Sequence, residues 1–291
     1  MLQVPAIIKA KAMGYSVGVV DYDPNAPGIQ YADKYFNIST IDTERIVDTA
    51  KRFGAHGVMT LATDMPVRSV AAACEVLGLP GISYQTAVKS TDKGEMMKAF
   101  RESSVAHPWF YVCSSFDELN SFGDHIEYPC IVKPTDCSGS RGVTLVGDSS
   151  ELKAAYEYSK NQAHNGKVIV QEYLRGDEIS VEVIVRDDIP HILAITDKIT
   201  SGAPHFVEMG HSQPSRLTEG EVRRVMHLVR SAIHAVGIDN GPAHVELMVT
   251  ENGPVMIELG ARLGGDYIAT HLVPLSTGID MVTVSSSIGC F

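Results

Sequence analysis

The chain has 291 residues, of which 44% are hydrophobic and 20% charged, with a formal net charge of −11. That is ordinary globular composition, with length enough for two or three lobes with buried cores. The acidic balance excludes a basic footprint for nucleic acid, and no apolar run reaches bilayer-spanning length.

The opening stretch, "MLQVPAIIKAKAMGY", reads as an amphipathic helix rather than a secretory segment, with Pro5 in its first turn and Gly14 as its stop. "YSVGVVDYD" follows as a buried strand and "DTERIVDTAKRFG" as a helix. "AHGVMTLA" is expected as the next strand and "MPVRSVAAACEVLGLPG" as the next helix. This βαβ rhythm predicts a parallel α/β lobe over residues 1–88. Such a unit normally opens on a strand, so a missing first strand and an open sheet edge are expected there.

From residue 89 the pattern changes. "TDKGEMMKAFRESS" is a helix with Lys93 near its start. The strand "PCIVKP", a glycine-serine loop, the strand "GVTLV" and the serine-capped helix "SSELKAAYEYSKN" come next. "KVIVQEYL", "DEISVEVIV" and "HILAITDKI" are strands. "EGEVRRVMHLVRSAIHAVG" is a long helix stopped by Gly237, and "AHVELMV" and "PVMIEL" close the pattern. Helices grouped against antiparallel strands predict α+β organisation for residues 89–291.

The five cysteines, Cys74, Cys113, Cys130, Cys137 and Cys290, are odd in number and form no CxxC pair. A reducing, cytoplasmic setting without a disulfide framework fits. Cys137 is either a nucleophile or a small loop residue; no histidine–cysteine signature supports the first.

Three stretches carry candidate chemistry. If Glu251-Asn252-Gly253 forms a three-residue hairpin loop, Thr250 pairs with Pro254 and Glu246 lies opposite Glu258 on one sheet face. Two facing carboxylates repel, and a hard divalent cation bridging nucleotide phosphates resolves the conflict. The alternatives are a register one residue off, with the glutamates on opposite faces, or an acid pair sharing a proton. Lys133 follows the apolar Cys130, Ile131 and Val132, so its charge needs a partner. The loop "TDCSGSRG" after it offers backbone N–H groups and hydroxyls to an anion; a plain hairpin is the alternative. In "VIVQEYLRGDEISVEV" an apolar strand runs into polar residues and a turn. Its backbone can meet an adenine edge and a following carboxylate a ribose, although a strand–turn–strand with solvated acids explains it equally.

Taken in order, "STDKGEMMKAF", "YPCIVKPTDCSGSRGV", "VIVQEYLRGDEISVEV", "AHVELMV" and "MIELGARLGGDYI" resemble the ATP-grasp superfamily, carboxylate–amine ligase type, including amino-acid ligases and carbamoyl-phosphate-synthase-like enzymes. The resemblance covers about residues 90–270. It implies a Rossmann-like lobe at 1–88 preceding an ATP-grasp domain at 89–291, with a mobile lid at about 127–171. It implies an ADP-forming, C–N bond-forming ligase that activates a carboxylate as an acyl phosphate for attack by an amine. An ATP-binding module without turnover is the alternative, and an oxidoreductase is disfavoured because no GxGxxG follows a strand.

The resemblance also implies roles. Lys93 and Lys133 would hold ATP phosphates, and Ser138, Gly139, Ser140 and Gly142 would form the lid loop. Gln171, Glu172, Tyr173 and Leu174 would meet adenine, and Glu178 the ribose. Glu246 and Glu258 would ligate Mg2+, with Mn2+ as a substitute. Arg262 and Lys133 would be catalytic, Arg262 as a fork-shaped donor to the acyl phosphate or substrate carboxylate. His205, Glu208 and His211 would touch substrate, a solvated loop being the even alternative, and Arg68 is a weaker candidate. The implied partners are a small carboxylate and a small amine, with neither nucleic acid nor membrane; a homodimer is admitted. The family's asparagine two residues after the second glutamate is replaced by Gly260, which puts the second metal ligand set in doubt.

Overall fold

In a computed structural model, residues 2–203 and 206–288 are described. The first elements are α1 (Val4–Ala12), β1 (Gly18–Asp21), β2 (Lys34–Asn37), α2 (Thr43–Phe53), α3 (Val67–Leu77) and α4 (Tyr84–Thr91). Their stops follow local chemistry: α2 and α3 both end on a left-handed glycine, Gly54 and Gly78. β1 and β2 pair in parallel, Gly18 beside Lys34.

The expected strand at 55–62 does not form. Its backbone groups go elsewhere: the Leu61 N–H donates to Gln3 Oε1 at 2.7 Å, and the Leu61 carbonyl accepts from Leu263 N–H at 2.9 Å. Apolar content alone does not make a strand; a neighbouring ladder must take up its hydrogen bonds. A separate helix, α4, also precedes the lysine-bearing helix where the sequence suggested a boundary.

The second part runs α5 (Lys93–Glu102), β3 (Phe110–Cys113), α6 (Phe116–Ser121), β4 (Cys130–Pro134), β5 (Thr144–Val146), α7 (Leu152–Gln162) and β6 (Val168–Glu172). It continues with β7 (Asp177–Arg186), β8 (Ile189–Thr200), β9 (Glu208–Ser212), α8 (Glu219–Val236), β10 (Gly241–Thr250) and β11 (Gly253–Gly260), and closes on α9 (Val273–Thr277) and α10 (Met281–Ile288). The serine cap expected for α7 is absent: the helix starts at Leu152, and the nearby serine, Ser150, is drawn into a turn by Asp148. The long helix α8 begins with a capping box, Thr218 and Glu221 exchanging bonds, and stops at Gly237 as expected.

Two antiparallel sheets result. A four-stranded sheet is ordered β3-β6-β4-β5, and a five-stranded one β11-β10-β7-β8-β9. The smaller sheet packs on α7 through Cys130, Val132, Val146, Leu152, Tyr156 and Val170. The larger buries α8 through Val181, Val183, Val229, Ile233 and Val245, and that core continues into α3 and α4 through Val67, Ala71 and Ala87. One face of the larger sheet is thereby sealed, and its other face turns charged side chains toward the smaller sheet.

Candidate nucleotide cleft

Between the two sheets lies an open cleft. Its wall includes Lys93, Lys133, Ser138, Gly139, Ser140, Gln171, Glu172, Tyr173, Leu174, Glu178, Glu208, Glu246 and Glu258. Most of the residues singled out from sequence thus share one cavity, although they come from seven elements and the loops between them.

Lys93 is placed by its neighbour. Asp92 caps α5, accepting from Gly94 N–H at 2.9 Å and Glu95 N–H at 3.1 Å. The Lys93 N–H in turn donates to the Thr135 carbonyl at 2.8 Å, which ties the helix start to the end of β4. The ammonium reaches across the cleft to the Cys137 carbonyl at 2.7 Å and to Glu258 at 3.1 Å. Burial opposes its charge, but Glu258 outweighs it and holds the pKa above the usual lysine value. Lys133 is buried more deeply and forms no ion pair among the described residues. Burial pushes it down to about 8; Glu258 resists the shift and Lys93 adds to it.

The loop after β4 turns left-handed at Gly139, Ser140 and Gly142. Ser140 Oγ touches the Phe206 carbonyl at 3.4 Å, so the loop spans the cleft mouth. The Cys137 thiol is held above its ordinary range by burial and then by Asp136, which suits a loop residue rather than a nucleophile.

Glu246 and Glu258 face each other on neighbouring strands, by a route different from the expected one. The loop is two residues long, Thr250 pairing with Gly253, and Ile257 bulges so that it and Glu258 together oppose Glu246. A turn shorter by one and a strand longer by one cancel. The bulge also puts Ile257 in the cleft wall beside Met248.

Four charged residues escaped the sequence reading. Lys198 on β8 is nearly inaccessible, its side chain 4% exposed, and binds Glu178 at 2.7 Å, Glu246 at 2.7 Å and Glu208 at 3.0 Å. Burial opposes its charge, but the three carboxylates hold it far above the lysine range. Glu178, expected as a free ribose acceptor, is therefore engaged. His244 lies between Glu182, 2.5 Å away, and Glu246, 3.3 Å away. Burial would lower its pKa, yet Glu182 and Glu246 lift it to about 9. Glu246 is held well below the carboxylate range against its own burial, by Lys198 and His244. The signal was strict alternation: Glu178 and Glu182 share one face of β7, as His244 and Glu246 share one of β10.

Asp64 is the fourth. Arg262 was expected to aim a free fork at substrate, but Asp64 holds it in two bonds, 2.7 Å and 3.0 Å. A Cβ on Gly260 would lie 3.1 Å from Asp64 Oδ1, so Asp64 crowds the place where an asparagine would stand. Arg68 donates to Thr91 Oγ1 at 2.7 Å and is not in the cleft wall. His205 lies outside the described residues. Glu208 and His211 are 3.5 Å apart, and with Asp266 they bring one ligand atom each within 4.8 Å of one another.

The cleft suits a nucleotide and a hard cation. Lys133 has no ion-pair partner among the described residues, and buried Gln171 keeps Oε1 without one. Glu246 and Glu258 offer oxygen ligands only, on opposite sides of a ladder, as Mg2+ shared with phosphates requires.

Comparison with known proteins agrees. An ATP-grasp domain model matches residues 126–270. The alanine–anticapsin ligase of Bacillus subtilis (strain 168) is 28% identical over 271 residues, covering 85% of this chain and 57% of that protein. The chain thus spans little more than half the length of this relative. The L-amino acid ligase of Bacillus licheniformis superposes with a TM-score of 0.85 at 25% identity, over 99% of this chain and 71% of that one. The biotin carboxylase domain of Hydrogenobacter thermophilus 2-oxoglutarate carboxylase, solved with MgADP and bicarbonate, superposes at 0.82 with 20% identity, over 99% and 67%. No helix among the described residues is long and apolar enough to cross a membrane.

Proposed function

Because this chain belongs to the ATP-grasp superfamily, we propose that it is part of an ATP-dependent ligase joining a small carboxylate to a small amine. Residues 1–88 act as a Rossmann-like lobe and 89–291 as the ATP-grasp domain, with residues of about 127–171 as a mobile lid. The observation that carries the reading is the meeting of Lys93, Lys133, Glu246 and Glu258 in one cleft.

The carboxylate oxygen attacks the γ-phosphorus of ATP, its bond to the β–γ bridging oxygen breaks, and an acyl phosphate and ADP form. The amine then attacks the acyl carbon, phosphate leaves, and the amine's proton is lost. The protein's work is positioning and charge neutralisation. Lys93 and Lys133 neutralise phosphate oxygens. Gln171 to Leu174 hold the adenine, with the orphaned Gln171 Oε1 as an acceptor, and Glu178 turns from Lys198 to the ribose. Glu246 and Glu258 hold Mg2+, or Mn2+, which when bound neutralises charge on the phosphates. Arg262 exchanges Asp64 for the substrate carboxylate or acyl phosphate. The Ser138–Gly142 loop excludes water from the acyl phosphate. Glu208 and His211 face the amine or carboxylate substrate. The unpaired cysteines suit a cytoplasmic enzyme, and a homodimer is the quaternary state to test for by sedimentation.

The test is ADP release from ATP and Mg2+ over a panel of amino acids and related carboxylates. Lys133→Ala and Glu258→Ala should abolish ATP consumption; near-normal consumption by either variant overturns the site assignment. Binding of ATP without turnover across the panel identifies an ATP-binding module instead.

A further inference from the structure

Glu182 is the most deeply buried charged residue among those described, with no exposed surface, and it has no part in the chemistry above. It lies on β7, the middle strand of the larger sheet, directly across the ladder from His244 on β10. Both of its oxygens are used. Oε1 meets His244 Nδ1 at 2.5 Å, and Oε2 accepts from the Gly264 N–H at 3.2 Å. The other imidazole nitrogen, Nε2, lies 3.3 Å from Glu246 Oε1. An unbroken chain therefore runs from the loop behind Arg262, through Glu182 and His244, to Glu246.

Two features mark the chain as built for placement. A carboxylate so deep in a sheet is unfavourable unless paired and fully hydrogen-bonded, and an apolar residue would serve stability as well or better. Gly264 is also required for the approach: a Cβ there would fall 2.7 Å from Glu182 Oε1 and 2.9 Å from His244 Nδ1. On the other side of Glu246, Oε2 is held by Lys198. The carboxylate is thus clamped at both oxygens, and His244 is the clamp that Glu182 orients.

We propose that Glu182 and His244 are positioning residues that fix the rotamer of Glu246 and the Gly264 turn as one unit, so that the cation-binding carboxylate and the Arg262 loop are set together. This rests on the reading of Glu246 and Arg262 as site residues. Without His244, Glu246 is free to swing toward Lys198 and meets a divalent cation less well.

The test is calorimetric titration of ADP into the protein with EDTA and again across a Mg2+ series. His244→Ala and Glu182→Gln should weaken the Mg2+ enhancement about 10–100-fold and leave metal-free ADP affinity within about twofold. His244→Gln, whose amide can still donate to Glu246, should recover part of the loss. Should His244→Ala not fold, Glu182→Gln carries the same test, being isosteric and uncharged. An unchanged Mg2+ series in the variants, or equal losses with and without Mg2+, overturns the proposal alone. Failure of the wild-type protein to bind ADP at all overturns the nucleotide reading and this proposal with it.

Discussion

Burial and then the neighbouring Lys93 ammonium hold the Lys133 pKa down, against the opposing pull of Glu258, Glu246 and Glu178. Its pKa of about 8 in the fold, against an ordinary 10.5, has a definite sign in linkage. The unfolded chain binds more protons between those values, so this residue makes stability rise as pH climbs from about 8 to 10.5. Bound phosphate restores the charged form. ADP binding near pH 8 should therefore take up a proton at Lys133, seen as a buffer-dependent binding enthalpy. Lys133→Arg, charged throughout this range, should remove the uptake; the same uptake in that variant would assign it to another group.

Among the elements, α5 and the β10–β11 hairpin do most to place charge. Asp92 closes the first turn of α5 and also accepts from Asn165 Nδ2 at 3.0 Å, so one side chain fixes the helix start, the end of β4 and the loop before β6. Asp92→Ala should cost about 1–2 kcal/mol in urea denaturation and weaken ADP binding, since Lys93 then loses its fixed origin. An unchanged midpoint would show that the Lys93 N–H bond to Thr135 suffices. In the hairpin the bulge at Ile257 does the placing: it restores the Glu246–Glu258 pairing that the two-residue turn alone would have shifted.

At the scale of the molecule, α3 and α4 share a core with the larger sheet, and Asp64 and Arg262 bind each other across the same junction. The pair is mostly buried, with side chains 25% and 12% exposed. Burial opposes the Arg262 charge, but Asp64 offsets it and holds the guanidinium pKa above its ordinary value. Asp64→Asn should lower stability by roughly 2 kcal/mol, less than for a fully buried pair, measured by thermal or urea unfolding. It should also release the Arg262 fork toward the cleft. A stability change below a few tenths of a kcal/mol would show that the junction rests on the apolar core alone.

The sequence by itself determined the helices with their glycine stops, the alternating strands, and the lysine, glycine-serine and glutamate stretches that meet in the cleft. Those are local signals, set by period and turn chemistry. Tertiary structure alone decided that residues 55–62 stay out of a sheet, because their hydrogen bonds go to Gln3 and Leu263. It also decided which charges pair. Lys198 and Asp64 look like strays in their own segments, and each acquires meaning only from partners on other elements. Charge pairing acts through space, and a chain read in order carries no distance between β8 and β10 until the sheet has formed.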